Sequence, residues 1–299
     1  MKFIFLSALL LIFTNQCFAQ LLISEVLFNP KNGGVDFVEI YNNSSIAIPL
    51  DRYYLGHVNS SGEMSNLQQI STGNVVIRPE TYKVLTIDPT TVIQHYPTAK
   101  ASNILKMHRL PSYPNTQGHV LLVHQEIDRN GNQKVHVVDS LHYTEKMHSL
   151  FIKDRKGISL ERYSFSEPTN APGNFRSAAV SVGGATPGFQ NSVEPHATTW
   201  FRMNTKIINP TIGPVMQLEI EYELDRSSMM ANVHIYNQKG MLVRRILQNK
   251  SISTKGKWIW EGKQENQTFA PLGVYTAYIE LYDGVGYRQV IRKSFVLTH

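Results

Sequence analysis

The sequence predicts an all-β protein, built as two consecutive domains behind an export signal. Three observations carry that expectation. Almost no segment has a helical period, and short runs rich in β-branched and aromatic residues recur between Gly, Pro and Asn punctuation. A Gly/Pro-rich stretch without periodicity, Gly183-Gly184-Ala185-Thr186-Pro187-Gly188 and then Asn191-Ser192 and Pro195, divides the chain. Ahead of everything stands a short apolar leader.

The leader comes first. Lys2 gives a positive start, and Phe3 to Phe13 is an apolar run of signal-peptide length. A spanning helix needs roughly 20 apolar residues, so this run is too short to cross a bilayer. Small residues in Cys17-Phe18-Ala19 place cleavage after Ala19, which makes residues 1–19 a signal peptide. The competing reading makes Cys17 a lipidated N-terminus, which Asn15-Gln16 fit poorly because that reaction prefers small residues there. Cys17 is the sole cysteine, so the mature chain has none and relies on its core rather than on disulfide staples. No later segment reads as transmembrane. These features predict an extracytoplasmic location.

The formal charge of +6 falls to +5 when Lys2 leaves, because residues 1–19 contain no Asp or Glu. A pI near 9.2 favours approach to anionic surfaces such as nucleic acid, glycans or lipid headgroups. The basic residues are dispersed, however, which fits solubility equally well.

Within residues 20–192 the early strands are Leu21 to Phe28, Val35 to Asn42, Val75 to Ile77 and Tyr82 to Ile87. A brief helical turn is expected near Pro89 to His95. His119 to Ile127 and Lys134 to Leu141 flank Asp128-Arg129-Asn130-Gly131-Asn132, and an Asn-Gly pair between two such runs is a strong hairpin signal. Many short strands with regular turns imply a sandwich or barrel. Residues 193–199 read as a linker. In residues 200–299, Leu218, Ile220, Tyr222 and Leu224 alternate with Glu219, Glu221 and Glu223, the pattern of a strand with one wet face. Trp258 and Trp260 lie two apart, share a face and can anchor a core. About seven strands in roughly 100 residues is the size of an immunoglobulin-like sandwich.

Ile23-Ser24-Glu25-Val26 with Asp36-Phe37-Val38-Glu39-Ile40-Tyr41-Asn42 resembles the opening of bacterial lamin-tail domains. Asp139-Ser140-Leu141-His142-Tyr143, Ser159-Leu160-Glu161-Arg162 and Pro172-Gly173-Asn174-Phe175 resemble its later parts, and Ala185-Thr186-Pro187-Gly188 with Asn191-Ser192 its end. The resemblance covers nearly all of residues 21–192 and implies an immunoglobulin-like β-sandwich. It lapses over roughly Pro89 to Gln117. Residues 200–299 resemble both the immunoglobulin-like domain of flagellar hook-capping proteins and the C-terminal sorting domains of Bacteroidetes type IX secretion. Val233 to Gly240, Trp258-Ile259-Trp260-Glu261-Gly262 and Pro271-Leu272-Gly273-Val274-Tyr275 carry that likeness. Both resemblances imply a Gram-negative envelope, and only the second implies the cell surface.

Candidate chemistry is sparse. His119, His124, His136, His142 and His148 crowd one hairpin region, but ligands on one strand face need even spacing. His136 and His142 meet that condition; His119 and His124 do not. No His-Glu-x-x-His supports a metal. Asp128, Asn130, Asn132 and Asp139 mimic a calcium loop whose sixth position, Gln133, lacks the required glycine. Asp139, Ser140 and His142 alternate faces and form no relay, and no nucleophile elbow or phosphate loop occurs. No metal or cofactor is therefore expected, and the protein reads as a non-enzyme.

Charges within strands are costly unless paired, so Glu25 and Glu39 call for a partner, and Arg162 is expected to pair with one of them. Lys153, Arg155 and Lys156 form the best basic cluster, a candidate polyanion contact that salt would weaken. Tyr53, Tyr54 and Tyr113 are candidates for an aromatic sugar platform, with sheet packing as the plainer role. The reading is a binding or scaffolding protein with a protein partner in the envelope or on the surface. The alternative is a module for DNA or a glycan, or a type IX cargo.

Overall fold

The computed structural model describes residues 21–209 and 217–298. The expected signal peptide and its cleavage site lie outside the described residues. The N-terminal part comprises β1 (Leu21–Leu27), β2 (Phe37–Asn42), β3 (Ile48–Pro49), β4 (Tyr53–Val58), β5 (Met64–Gln69), β6 (Val76–Ile77) and β7 (Tyr82–Thr86). Then follow α1 (Pro89–His95), β8 (Ile104–Lys106), β9 (Gln117–Ile127), β10 (Gln133–Thr144), β11 (Leu160–Arg162) and β12 (Phe175–Ser177). One sheet runs β12-β11-β1-β2-β7-β8 and the other β10-β9-β4-β5, with β3 and β6 as a small ribbon. Between them lies a core that includes Ile23, Val38, Leu85, Leu122 and Leu141.

The six-stranded sheet is covered on its outer face as well. Leu27, Phe37 and Val84 pack there against Val92 of α1, Tyr96 and Ala185. This second cover explains why β1 is buried along its whole length and shows no alternation in sequence. The helix expected near Pro89 forms because Asp88 accepts from the Thr90 and Thr91 amides at 3.0 and 3.3 Å and Pro89 opens the first turn. The β9–β10 hairpin closes through Asp128, whose Oδ1 accepts from the Asn130 and Asn132 amides at 2.8 and 2.9 Å. Gly131 supplies the positive φ of +82°.

The C-terminal part comprises β13 (Trp200–Met203), β14 (Ile207–Ile208), β15 (Leu218–Glu223), β16 (Met229–Asn237), β17 (Leu242–Ile252), β18 (Lys255–Trp260), β19 (Gly273–Tyr282) and β20 (Arg288–Leu297). A sheet ordered β13-β15-β18 packs on one ordered β14-β20-β19-β16-β17. Leu218, Ile220 and Tyr222 point inward with Trp258 and Trp260, as their alternation predicts. About seven strands are expected here and the described residues hold eight. The short β14, which pairs in parallel with β20, has no pattern of its own to announce it.

Candidate functional site

Three glutamates form a ladder across three neighbouring strands. Glu25 of β1 stands opposite Glu39 of β2 and opposite Glu161 of β11, and all three are fully buried. Their donors come mostly from one segment, residues 186–192. The Thr186 amide and the Ser159 hydroxyl donate to Glu25 Oε1 at 3.0 and 2.5 Å. The Gly188 amide donates to Glu39 Oε2 at 2.6 Å. The Thr186 and Ser192 hydroxyls donate to the two oxygens of Glu161, each at 2.7 Å. The ladder therefore holds residues 186–192 as a strap against the sheet.

Among the described residues, two oxygens in the ladder, Glu25 Oε2 and Glu39 Oε1, meet no hydrogen-bond donor. Burial pushes the pKa of all three acids up, most of all for Glu25, where the Glu161 charge adds to it, and Glu39, where the Glu25 charge does. Glu161 is pushed up to about 7. A proton retained on Glu25 or Glu39 supplies the donor that the bare oxygens lack.

Arg162 is not the partner of these acids. It follows Glu161 in the same strand and so projects to the opposite side of the sheet. There its Nη2 meets Asp139 Oδ2 at 2.8 Å and its Nε donates to the Ile23 carbonyl at 2.7 Å. Asp139 also accepts from the Ile23 amide at 2.8 Å and from Thr169. The expected pairing of Arg162 with Glu39 or Glu25 is corrected to a pairing with Asp139. The glutamates answer their burial with hydroxyl and amide donors instead.

The tyrosines do not assemble into a platform. Tyr53 and Tyr54 are consecutive on β4 and project to opposite faces. Tyr53 packs on His124 with ring centroids 4.8 Å apart, while Tyr113 is buried and donates to the Gly56 carbonyl at 3.3 Å. In the basic cluster, Lys156 Nζ donates to Asn32 Oδ1 at 2.6 Å and Arg155 lies 3.9 Å from Glu145. Lys153 points free of either, toward the junction of the two sandwiches.

The histidines divide between faces. A bulge between Val137 and Asp139 offsets the count along β10, so His136 pairs with His124 and His142 with His119 on opposite sides. The even spacing of His136 and His142 therefore does not bring them together. His119 and His142 stack with centroids 4.3 Å apart and planes 10° from parallel. Parallel stacked rings direct their lone pairs alongside one another, so they do not converge on one ion. His57, which no sequence pattern singles out, joins them around one recess. His148 is buried elsewhere, with Nδ1 2.9 Å from Ser177 Oγ.

The two sandwiches meet along a polar seam. Thr254 donates its amide to Ser192 O at 2.9 Å and its hydroxyl to Glu194 O. Ser253 N donates to Ser181 Oγ at 3.0 Å, and Arg176 Nη1 to Ser227 Oγ at 2.7 Å. Beside these contacts, Phe151 meets Tyr282 edge-on at 6.4 Å and lies against Gly284. That packing brings two loop tips together, one carrying Leu150 at 90% exposure and the other Val285 at 93%. Lys153 and Lys250 line a groove between the two sandwiches together with Phe151 and Tyr282.

No family model matches the chain, so the lamin-tail resemblance stays a resemblance, and no curated protein matches it either. Among solved structures, dimeric latent PorU from Porphyromonas gingivalis is 10% identical over 93% of this chain and 20% of that one, with a TM-score of 0.27. PorZ, a bacterial surface component of the type-IX secretion system of the same organism, is 12% identical over 93% of this chain and 39% of that one, again at 0.27. A tetra-tandem repeat from the extending region of a large adhesion protein is 9% identical over 93% and 49%, at 0.23. The chain spans between a fifth and a half of these structures. At TM-scores this low, the likeness identifies neither a shared function nor a shared fold.

Proposed function

We propose that the protein is an exported, non-enzymatic binding and scaffolding module of a Gram-negative cell envelope or surface. The observation that carries this reading is the seam. Both sandwiches line one groove, with Phe151 and Lys153 from the first and Lys250 and Tyr282 from the second, and the exposed Leu150 and Val285 are the chain neighbours of Phe151 and Gly284, which meet there. Large apolar side chains at such exposure, one on each side of an inter-sandwich contact, suit an interaction site. The disposition of the acids supports the non-enzymatic side: Glu25, Glu39 and Glu161 are enclosed under the strap and bound to its amides and hydroxyls. Residues 200–299 dock the protein or serve as its sorting domain for type IX secretion.

Cell fractionation with intact-mass measurement tests the location, and the double variant Leu150→Asp, Val285→Asp tests the seam. The wild type is expected in the envelope or surface fraction and the variant in the soluble fraction, with an unchanged melting temperature. An unchanged distribution of the variant would remove the seam as the docking surface.

A second reading has its own observation. Lys153, which lines the seam groove, and Lys156 are both exposed, which suits an anionic polymer such as DNA or an acidic glycan. Retention on immobilised DNA or glycan should then fall steeply between about 50 and 200 mM salt. Equal retention at both concentrations would count against it.

A further inference from the structure

At the open end of the N-terminal sandwich, a cleft of about 550 Å³ is walled by Pro30, Val35, Ile87, Leu110 and Pro111. One carboxylate lines it, that of Asp36. The backbone fixes this residue: Asp36 enters β2, and its carbonyl accepts the Thr86 hydroxyl at 2.9 Å. Phe37 of β2 pairs with Thr86 of β7, so Asp36 and Ile87 flank the cleft from adjacent strands. The opposite wall, His108 to Pro111, follows the Met107 amide, which donates to the Thr86 carbonyl at 2.7 Å. That wall belongs to the stretch where the lamin-tail resemblance lapses.

Asp36 is half-buried, yet among the described residues no donor or cation engages its side chain. The nearby hydroxyls are committed elsewhere: Tyr113 donates to the Gly56 carbonyl at 3.3 Å and Tyr143 to the Pro114 carbonyl at 2.8 Å. His108 and Arg109 stand on the rim, both exposed. Arg109 makes no ion pair with Asp36. An unpaired carboxylate in apolar surroundings is costly, and a cleft with such a group invites a ligand that supplies the missing charge.

We infer that this cleft binds an alkylammonium group, with the aliphatic stem against Leu110, Ile87 and the prolines and the ammonium on Asp36. The chemistry is that of a lysine side chain on a protein partner or of a free alkylamine. An alkyl carboxylate has the wrong charge, and a neutral alcohol gains only the apolar part. The site is independent of the seam, so either can fail without the other. Burial raises the Asp36 pKa to about 6. Alkylammonium binding requires the ionised carboxylate and is therefore present at pH 8 and lost as pH falls through about 6. His108 and Arg109 on the rim, with Tyr113 and Tyr143 behind, are the other titratable groups facing it. His108 and Arg109 share the rim, so the Asp36 variant is needed to assign the pH dependence to the carboxylate.

The experiment is NMR titration of the full-length protein at pH 8 with n-butylammonium, 1-butanol and butyrate, and with a lysine-containing peptide and its Lys→norleucine counterpart. The expected result is chemical-shift change at Asp36, Ile87 and Leu110 with butylammonium, at least about tenfold weaker in Asp36→Asn. Butyrate should give no response. Peptide binding that exceeds butylammonium binding and vanishes with norleucine assigns the source to a protein lysine; the reverse order assigns a free amine. Equal butylammonium affinity in wild type and Asp36→Asn, or no response at these residues, overturns the inference. So does an Asp36 carboxyl that titrates in the wild type near its ordinary value of 3.8, because a partner would then already be present.

Discussion

Asp139 and Arg162 meet at 2.8 Å inside the N-terminal sandwich, and together they tie four separate segments. Arg162 also holds the Ile23 and Glu167 carbonyls, while Asp139 holds the Ile23 amide and Thr169. Removing one member of a buried pair leaves an uncompensated charge. Arg162→Ala should therefore cost about 3–5 kcal/mol of unfolding free energy. Arg162→Lys, which keeps the charge but not the forked donors, should recover less than half of that loss. Urea unfolding of the three proteins checks both values.

The glutamate ladder predicts an unusual pH dependence. Its acids keep protons in the folded state that an unfolded chain releases above the ordinary value of 4.5. Between that pH and about 7, where Glu161 titrates, the native state binds more protons, and the raised Glu25 and Glu39 add to the difference in the same direction. Stability contributed by the ladder therefore falls as pH rises. Glu39→Gln keeps an acceptor for the Gly188 amide and adds a donor for Glu25. It should stabilise the protein at pH 8 by about 1–2 kcal/mol and flatten the difference between pH 5 and pH 8. Melting curves at the two values decide it; a wild type more stable at pH 8 than Glu39→Gln contradicts the ladder.

How much of this is legible in sequence depends on whether a feature is local. Trp258 and Trp260 share a face because two residues separate them, and the Asp128 hairpin closes through its own side chain. Both can be read directly. The partner of Arg162 cannot, because neither sequence neighbour nor charge reveals which face of β11 looks toward β10. The histidine faces fail for a related reason: one bulged residue, Val138, reverses every face beyond it. The strap reads as Gly/Pro-rich punctuation, and only the register of Glu161, Glu25 and Glu39 turns it into an anchored segment. Asp36 opens a lamin-tail-like motif, but nothing in sequence marks it as lining a cleft until Ile87 and Leu110 are folded around it.

A recurring device in the two sandwiches gives a paired prediction. Tyr143 lies across Gly118 in the first, and Tyr222 lies across Gly256 in the second, in each case from the directly paired position of the neighbouring strand. A Cβ on Gly118 would approach the Tyr143 hydroxyl to 2.5 Å, and one on Gly256 the Tyr222 hydroxyl to 2.6 Å. Aromatic rings of this kind cover the space a strand glycine leaves open. Both rings are also held from beyond: Tyr143 stacks on Phe28 at 4.3 Å and Tyr222 on Trp258 at 4.3 Å. Neither ring can move aside cheaply, so Gly118→Ala and Gly256→Ala should each cost about 1–3 kcal/mol. At Gly62 an added Cβ meets nothing, and Gly62→Ala should cost only the strain of its positive φ, about 1 kcal/mol.

Asn170 gives the last prediction. Its side chain accepts from the His142 amide at 2.9 Å and donates to the Ser140 carbonyl at 2.8 Å. That is the pair of bonds a neighbouring strand would make, and β10 is the outermost strand of its sheet. An amide side chain that occupies those groups blocks the edge against pairing with another chain. Asn170→Ala should cost about 1 kcal/mol in stability, which unfolding will measure. Its more telling effect should be on association: the variant should self-associate in light scattering at concentrations where the wild type stays monodisperse. Asn170→Asp retains the acceptor but not the donor and should fall between the two. If Asn170→Ala loses stability without gaining association, the side chain supports β10 without guarding its edge.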